Sequence, residues 1–529
     1  MYDYLIQFAQ MPYSGTIKLR WGQSLGLSKS PAPAQERNDG QMKTLSDYSA
    51  KTWFRFLFFS VFGVFAFFIN FRLPEYQFTI GAWQWGKVAA QSNVLVSHFT
   101  NFLKAALYTG NFKAMPFVVW AIGVYSIVDL FVLRPNKFWH TTKVAAAFAV
   151  FKIIGFILLS FLVVNIYFGV HPAWMGWFFN GVDSLGGKSI GTFIMDNILV
   201  TICISIPAAS LFLPLLVDYG LVEFVGVLVR SIMRPVFKLP GRAAVIMVSA
   251  FLGNFSVGHI AINDQYKQGR MTEREAVVIG TSMSTVSVGF LLALANISGL
   301  TNASLWGKSY WNLYFWIAFL VTLLVTLVGV RIPPLNHVPD NYYEGVKPDP
   351  EQPIKKDLLR SALREGMDQA QTQAHLGKRI AYIMKETIGV LGTVASGTAF
   401  FATFGVVLYS FTPIVEWIGY FFRPLFMLFG FRGEELAIAS TGAVISLVEV
   451  TVPALLVAVG TWSMRLRFVL AVIPVSSIIF LASFVPCLMA TDVPVKFSHI
   501  MLIWLERMIL SVLIAGLFAM ILFPAGMVA

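Results

Sequence analysis

The sequence predicts an all-α polytopic membrane protein, with about nine transmembrane helices and two re-entrant helical hairpins in an inverted repeat. Three observations predict this class. The 529 residues are 57% hydrophobic and only 12% charged, whereas soluble domains carry about 25% charge, and the mean hydropathy is +0.70. Apolar runs of about 18 residues or more, enough to cross roughly 30 Å of hydrocarbon as helix, recur along the chain. Helices are expected rather than a barrel, because each run closes its own backbone hydrogen bonds. The third observation is a stretch written twice, IMRPVFKLPG at 232–241 and FFRPLFMLFG at 421–430. At an offset of 189 residues (234 to 423), Arg234, Pro235, Phe237, Leu239 and Gly241 meet Arg423, Pro424, Phe426, Leu428 and Gly430. A repeat of apolar segments interrupted by Gly and Pro points to a transported substrate in a membrane protein.

The remaining composition narrows the function. A net charge of +12 would suggest nucleic acid in a soluble chain. In a membrane protein Lys and Arg gather in cytoplasmic loops and set orientation, so no nucleic-acid partner is expected. Cys203 and Cys487 both lie in apolar runs, which indicates neither a disulfide framework nor a metal site. The first 50 residues are polar, without an apolar core and cleavage site, so no signal peptide is expected.

Residues 1–51, with Lys18, Arg20, Lys29, Arg37, Lys43 and Lys51, read as a cytoplasmic tail. Residues 52–218 form a four-helix scaffold region, with spans near 52–71, 116–133, 144–169 and 190–217. SHFTNFLKAAL at 97–107 reads as an interfacial helix, and the tryptophans of 171–181 suit an interfacial belt. Arg134, Lys137 and Lys143 place their loop inside, as the basic N-terminus requires.

The first repeat, 219–331, opens on a segment carrying Glu223, Arg230, Arg234 and Lys238, which suits an amphipathic surface helix. The following apolar segment either crosses once or folds back at GNFSVG, 253–258. A single crossing would put Lys267, Arg270 and Arg274 outside. By parity it would also put the 332–383 linker, with Lys347, Lys355, Lys356, Arg360, Arg364, Lys378 and Arg379, outside. A hairpin keeps both inside and is preferred. A span at 272–296, interrupted at STVSVG (284–289), and a span at 310–330 follow. The linker is cytoplasmic, with an amphipathic stretch near 357–375, and a span at 386–409 leads outward. The second repeat, within 384–529, has a surface helix near 413–429, a hairpin at 433–460, and spans at 468–489 and 498–523. Three spans separate the copies, and an odd number inverts the second. Arg465 and Arg467 then fall outside, against the charge rule.

A hairpin tip leaves backbone N–H and C=O groups that hydrocarbon cannot satisfy, so tips sit against protein or a water-filled cavity. Half-helix N-termini there meet anionic or electronegative ligand groups, and exposed carbonyls hold a cation. The substrate-binding candidates are Asn254, Phe255, Ser256, Ser282, Ser284, Thr285, Glu449, Ser476 and Ser477. The ion-coupling candidates are Ser249, Asn254, Ser287 and Glu449, with Na+ or H+ as the coupling ion and no other cofactor. Small polar residues also serve plain helix packing, but their clustering at two related breaks favours a site. Glu449 lies in GAVISLVEVTVPALL with no Lys, Arg or His nearby. Such an isolated carboxylate costs at least about 2.5–3.5 kcal/mol at depth, which makes it a functional candidate for a substrate hydroxyl or amine, a cation, or a proton. The alternative is a carboxyl satisfied by a Ser or a backbone group in a packed interior. Asp196 and Asn197 fall near the outer interface. Glu506 and Arg507 are sequence neighbours that do not face each other on a helix, and are read as pairing structurally with other helices. His259 is read as a satisfied structural histidine. No Cys/His metal cluster, P-loop, dinucleotide fingerprint or nucleophile elbow is present, so an enzyme is not expected.

At these residues the sequence resembles the nucleoside-recognition Gate domain family, shared with concentrative nucleoside transporters. FLGNFSVGHI (251–260) and GRMTEREAVVIGTSMSTVSVGFL (269–291) are similar to the family's first hairpin, with its GQTE-type tip, and its following broken helix. GAVISLVEVTV (442–452) is similar to the second-hairpin GTKLxLNEF pattern, with Gly442 and Glu449 in register. IPVSSII is similar to NFSSI, so Ser476 and Ser477 match the family's serine pair. Four family positions differ: Gln is Asn254, Glu is Ser256, the Asn before the second-hairpin Glu is Val448, and the NFSSI Asn is Pro474. The resemblance covers roughly 221–300 and 415–490 and implies the fold, alternating-access transport and a homo-oligomer such as a trimer. Several groups that would grip base and ribose are replaced, so it does not carry nucleoside over as the substrate.

The expected function is ion-coupled secondary transport of a small polar or amphiphilic metabolite. The expected location is the cell inner membrane, spanned many times and in contact with the lipid bilayer, with the N-terminus cytoplasmic. The alternative is a non-transporting Gate-domain scaffold or signalling protein whose working surface is the 332–383 linker.

Overall fold

The computed structural model describes residues 45–80, 83–109, 112–128, 130–131, 143–182, 189–244, 246–247, 255–283, 285–302, 307–348, 357–373, 375–489, 491–524 and 527. Helix α1 (Ala50–Phe68) starts at Ser49, whose side chain accepts from the Thr52 N–H and so answers one of the helix's unpaired first-turn donors. Two antiparallel ribbons follow: β1 (Phe71–Leu73) pairs with β4 (Gln91–Asn93), and β2 (Tyr76–Ile80) with β3 (Trp83–Val88). Helix α2 (Leu95–Leu107), the expected interfacial helix, is joined by a small ribbon, β5 (Tyr108–Thr109) with β6 (Phe112–Lys113), to α3 (Ala114–Val128). These strands are an addition to the helical expectation. The 71–93 stretch alternates aromatic with polar residues, a period-2 pattern, and carries Pro74 and Gly81 between its strand segments.

Helix α4 is Lys143–Phe168, and α5 runs over Ile190–Val217 with a π-turn at Met195–Leu199. The first copy of the repeat then gives the surface helix α6 (Leu221–Ile232). Residues 242–244 and 246–247 form part of the first hairpin's ascending arm, and α7 (Phe255–Lys267) is its returning arm. The broken helix comprises α8 (Glu273–Val278), a π-turn at Ile279–Met283, and α9 (Val288–Ile297). Helix α10 (Trp311–Gly329) closes the copy, and the linker contributes α11 (Leu358–Thr372).

Helix α12 (Leu376–Phe411) begins inside the expected linker and is 36 residues long. The second surface segment is two short helices, α13 (Ile414–Gly419) and α14 (Arg423–Met427), where one was expected. Pro424 supplies no N–H and suits a first helical turn, so the chain restarts there instead of continuing. The second hairpin is α15 (Gly433–Ile445) and α16 (Val452–Leu456). The second broken helix is α17 (Met464–Ser477) and α18 (Phe484–Met489), and α19 (Phe497–Leu522) ends the fold.

Among the described residues six helices are long and apolar enough to cross a membrane: Ala50–Phe68, Ala149–Phe168, Ile190–Val217, Glu273–Ile297, Trp311–Gly329 and Phe497–Leu522. Two shorter apolar helices, Ala114–Val128 and Ala395–Phe411, lie where two further crossings are expected, and the broken helix α17–α18 lies where the remaining one is expected. The two copies pack crosswise. The returning arm α7 of the first hairpin meets α18, and the returning arm α16 of the second meets α9. Each hairpin thus leans on the far half of the other copy's broken helix, as a two-fold relation between copies requires. The helix α11 lies along α6 and also touches α1, with a two-bond ion pair between Arg230 and Glu365 at 3.1 Å.

Candidate functional site

The two helix breaks are built by different chemistry. In the first, the chain leaves helical geometry after Met283, and Ser287 restarts it by accepting from the Phe290 N–H at 3.2 Å. In the second, Pro474 lies inside the last turn of α17, and Ile478 closes the turn with φ +52°. The unwound residues then turn to the second hairpin for partners. The N–H groups of Leu481 and Ala482 donate to the carbonyls of Leu447 and Val448, at 2.7 and 3.2 Å. The hairpin tip and the second break are therefore one hydrogen-bonded unit, which satisfies backbone groups that lipid could not.

Glu449 sits on that tip and is buried. Its Oε1 accepts from the backbone N–H of Thr451 at 3.3 Å and from the Thr451 hydroxyl at 3.1 Å. Both named contacts are local to the tip. The lone carboxylate is held by its own loop, with the satisfied-carboxyl alternative partly realised.

Arg507 brings the two breaks together. It is fully buried in the middle of α19. Its Nη2 donates to the Ser282 carbonyl at 3.2 Å and the Ser476 carbonyl at 2.5 Å. Its Nε donates to the Ser477 carbonyl at 3.2 Å, and its Nη1 to the Thr326 hydroxyl at 3.4 Å. The Thr326 hydroxyl also lies 2.9 Å from the Ser282 carbonyl, which it can bond in turn. Sequence reasoning assigned Arg507 a structural pairing and left it out of the site. The signal that could have found it is the one applied to Glu449, since a charge in mid-helix among apolar residues is a functional candidate by default. Its neighbour Glu506 does point elsewhere, against Gly329, and among the described residues neither of its buried oxygens has a hydrogen-bond partner.

Of the predicted residues, Ser282, Ser476 and Ser477 meet at this guanidinium, through main-chain carbonyls rather than hydroxyls. The Ser476 hydroxyl turns back to its own helix, 3.1 Å from the Val472 carbonyl. Thr285 is buried, and among the described residues its hydroxyl has no hydrogen-bond partner. The Ser287 hydroxyl is engaged as a helix cap. Ser249, Asn254 and Ser284 lie outside the described residues, as do the side chains of Phe255 and Ser256.

The secondary candidates resolve simply. His259 contacts the Gly280 carbonyl through Nε2 at 3.0 Å and lies edge-on to Phe484, a structural use. Asp196 accepts from the Tyr108 hydroxyl. Arg467 donates to the Ser298 carbonyl at 3.0 Å, just past the end of α9, and to the Gly460 carbonyl at 2.9 Å. Arg465 donates to the Phe523 carbonyl at 2.6 Å, at the end of α19. Both guanidiniums thus answer helix C-termini, so local hydrogen bonding accounts for basic residues that the loop-charge rule could not. Among the described residues no group of three or more His, Cys, Asp or Glu side chains could hold a metal ion.

The chain is 27% identical over 322 residues to an uncharacterized protein of Alkalihalophilus pseudofirmus, a match covering 60% of this chain and 66% of that one, just under two thirds. Solved structures of CNTnw align over most of this chain. An inward-facing, substrate-bound structure is 14% identical, with 80% of this chain and 99% of that chain covered and a TM-score of 0.37. A structure of a CNTnw variant in its intermediate 2 state is 16% identical, with 83% and 100% covered and a TM-score of 0.36. Residues 199–301, which carry the first repeat through the end of α9, match the Gate family described as nucleoside recognition, as the resemblance read from the hairpin residues implies.

Proposed function

We propose that this protein is a secondary active transporter of the cell inner membrane, carrying a small polar or amphiphilic metabolite through the paired hairpins and breaks. One observation carries the reading. Two helices interrupted in mid-membrane, one from each copy of a repeat, converge on a buried polar centre with a carboxylate at the adjoining tip. Broken helices are costly in hydrocarbon and recur in transporters where a site must open to each side in turn. In this reading the first-hairpin residues Asn254, Phe255 and Ser256 and the first-break residues Ser284 and Thr285 face the substrate, and Glu449 contacts substrate or carries the coupling proton. Ser249 and Ser287 serve the coupling ion or its helix ends. The N-terminus and the linker are cytoplasmic. The four scaffold helices hold the moving unit and supply contacts between copies of the chain.

The test is uptake of a labelled metabolite library into proteoliposomes, with the wild type against Glu449→Gln, under Na+ and proton gradients applied separately. Substrate accumulation by the wild type and its loss in the variant is the expected outcome. Intact uptake in Glu449→Gln would remove Glu449 from the mechanism. The scaffold or signalling reading placed the working surface on the linker, but α11 spends its apolar face on α6 and α1. That arrangement favours transport.

A further inference from the structure

The geometry points to Arg507 as a tethered cation: its guanidinium fills the carbonyl cage, made by the two helix breaks, that an exchangeable coupling cation would otherwise occupy. The inference rests on the transporter reading only in treating this junction as the site. The cage consists of oxygen alone, three main-chain carbonyls from Ser282, Ser476 and Ser477 and the hydroxyl of Thr326. Oxygen donors of this kind suit a hard monovalent or divalent cation. Four N–H···O contacts consume four of the five donors that a guanidinium carries.

The charge balance supports the assignment. The Ser476 and Ser477 carbonyls belong to the C-terminal turn of α17, and Ser282 to the C-terminal turn of the first broken half-helix. Each helix C-terminus presents roughly −0.5 of an elementary charge, so two ends together offset about one positive charge. Among the described residues no carboxylate hydrogen-bonds the guanidinium; Glu506, its neighbour on α19, packs against Gly329 and acts on it only through space. A buried arginine normally has a carboxylate partner. Here two helix ends take that role, and the cation is supplied by α19, on a different element from both breaks. Na+ therefore has no seat at this junction, and coupling through Na+ bound to these carbonyls is excluded. Because α19 bonds both breaks at once, relative movement of the copies must exchange these bonds.

The experiment uses the full-length protein in lipid nanodiscs, with melting followed by intrinsic tryptophan fluorescence. Wild type, Arg507→Ala, Arg507→Lys and Arg507→Met are titrated with NaCl or ethylguanidinium chloride against choline chloride at constant ionic strength. The wild type is expected to melt at one temperature in all three salts. Arg507→Ala is expected to melt several degrees lower in choline and to recover saturably in millimolar ethylguanidinium or Na+. Arg507→Lys should melt above Arg507→Met, because the two are similar in length and differ in charge. A saturable Na+ response in the wild type with the same midpoint in Arg507→Ala would place the cation seat elsewhere and overturn the proposal. So would Arg507→Met melting at or above Arg507→Lys. If Arg507→Ala does not fold in any salt, the wild-type titration and the Lys–Met pair decide the matter in the same terms. Melting needs no transported substrate, so a failure of every uptake assay would refute the transporter reading and leave this result standing.

Discussion

The contact between α6 and α11 allows one perturbation to be worked through in numbers. Gly220 is the N-cap of α6 with φ +97°, and a Cβ there would run into the Gly366 carbonyl oxygen. The Gly366 carbonyl carbon and Cα would lie 2.7 and 2.8 Å away. Backbone cannot swing aside as a side-chain end can, so Gly220→Ala must push α11 off α6 by roughly 1.4 Å to regain ordinary contact with that oxygen. The left-handed backbone costs an alanine about 1–2 kcal/mol, and the overpacking about 1–3 kcal/mol more. The displacement also strains the partly exposed Arg230–Glu365 pair, worth about 0.2–1 kcal/mol. At 1.4 kcal/mol per tenfold, even the low end of this range, about 2 kcal/mol, raises the population with α11 undocked roughly 30-fold. Limited trypsin digestion reads that population at Arg360 and Arg364 on α11, since cleavage tracks the open fraction when reclosing is fast. Gly345→Ala is the control, because Gly345 has φ +75° with nothing within 4 Å of a Cβ. It bears a backbone cost without a collision and should leave cleavage on α11 unchanged. If Gly220→Ala is cleaved at the wild-type rate, the close approach of the two glycines does not hold the linker helix in place.

Two further expectations concern single groups. Burial pushes the Glu223 carboxyl on α6 up to about 7, with the Asp218 and Glu365 carboxylates nearby adding to the rise. A carboxyl raised in the folded state contributes stability that is full below pH about 4.5 and lost as pH climbs through about 7. Melting of the wild type should therefore fall over that window more than melting of Glu223→Gln, and parallel pH profiles for the two would refute this. Thr285→Val removes a buried hydroxyl without a partner, a group that costs about 1–3 kcal/mol while unsatisfied. Its melting temperature should hold or rise while uptake of the identified substrate falls. A lowered melting temperature with uptake intact would assign Thr285 to packing.

The divide between what could be read early and late follows particular residues. Ser249, Asn254 and Ser284 were chosen because small polar groups cluster where Gly interrupts apolar runs, and that clustering is local information. Ser282, Ser476 and Ser477 were chosen on the same ground, yet they act through their carbonyls. The sequence does not show which backbone groups an interruption leaves unpaired, because that depends on where the helix stops. Pro474 marked the second break, but the stop came at Ile478, where the chain takes a left-handed turn. The amphipathic linker helix is legible in pattern and period, whereas the restart at Pro424 is not, because the apolar and aromatic pattern of 413–429 runs on through it. The β-ribbons at 71–93 are an addition to the helical reading, although that stretch alternates aromatic with polar residues.

By itself the sequence determined the class, the repeat and the position of the first interruption. Those properties depend on hydropathy, on Gly and Pro backbone geometry, and on periodicity along a few dozen residues. Only the tertiary structure decided what stands between the breaks. Arg507 lies 30 residues from Ser477 and 225 from Ser282 along the chain, and no local pattern links the three. Folding leaves carbonyls of two helix ends without partners in a place that water cannot reach. The one arginine on the helix that passes there turns to them.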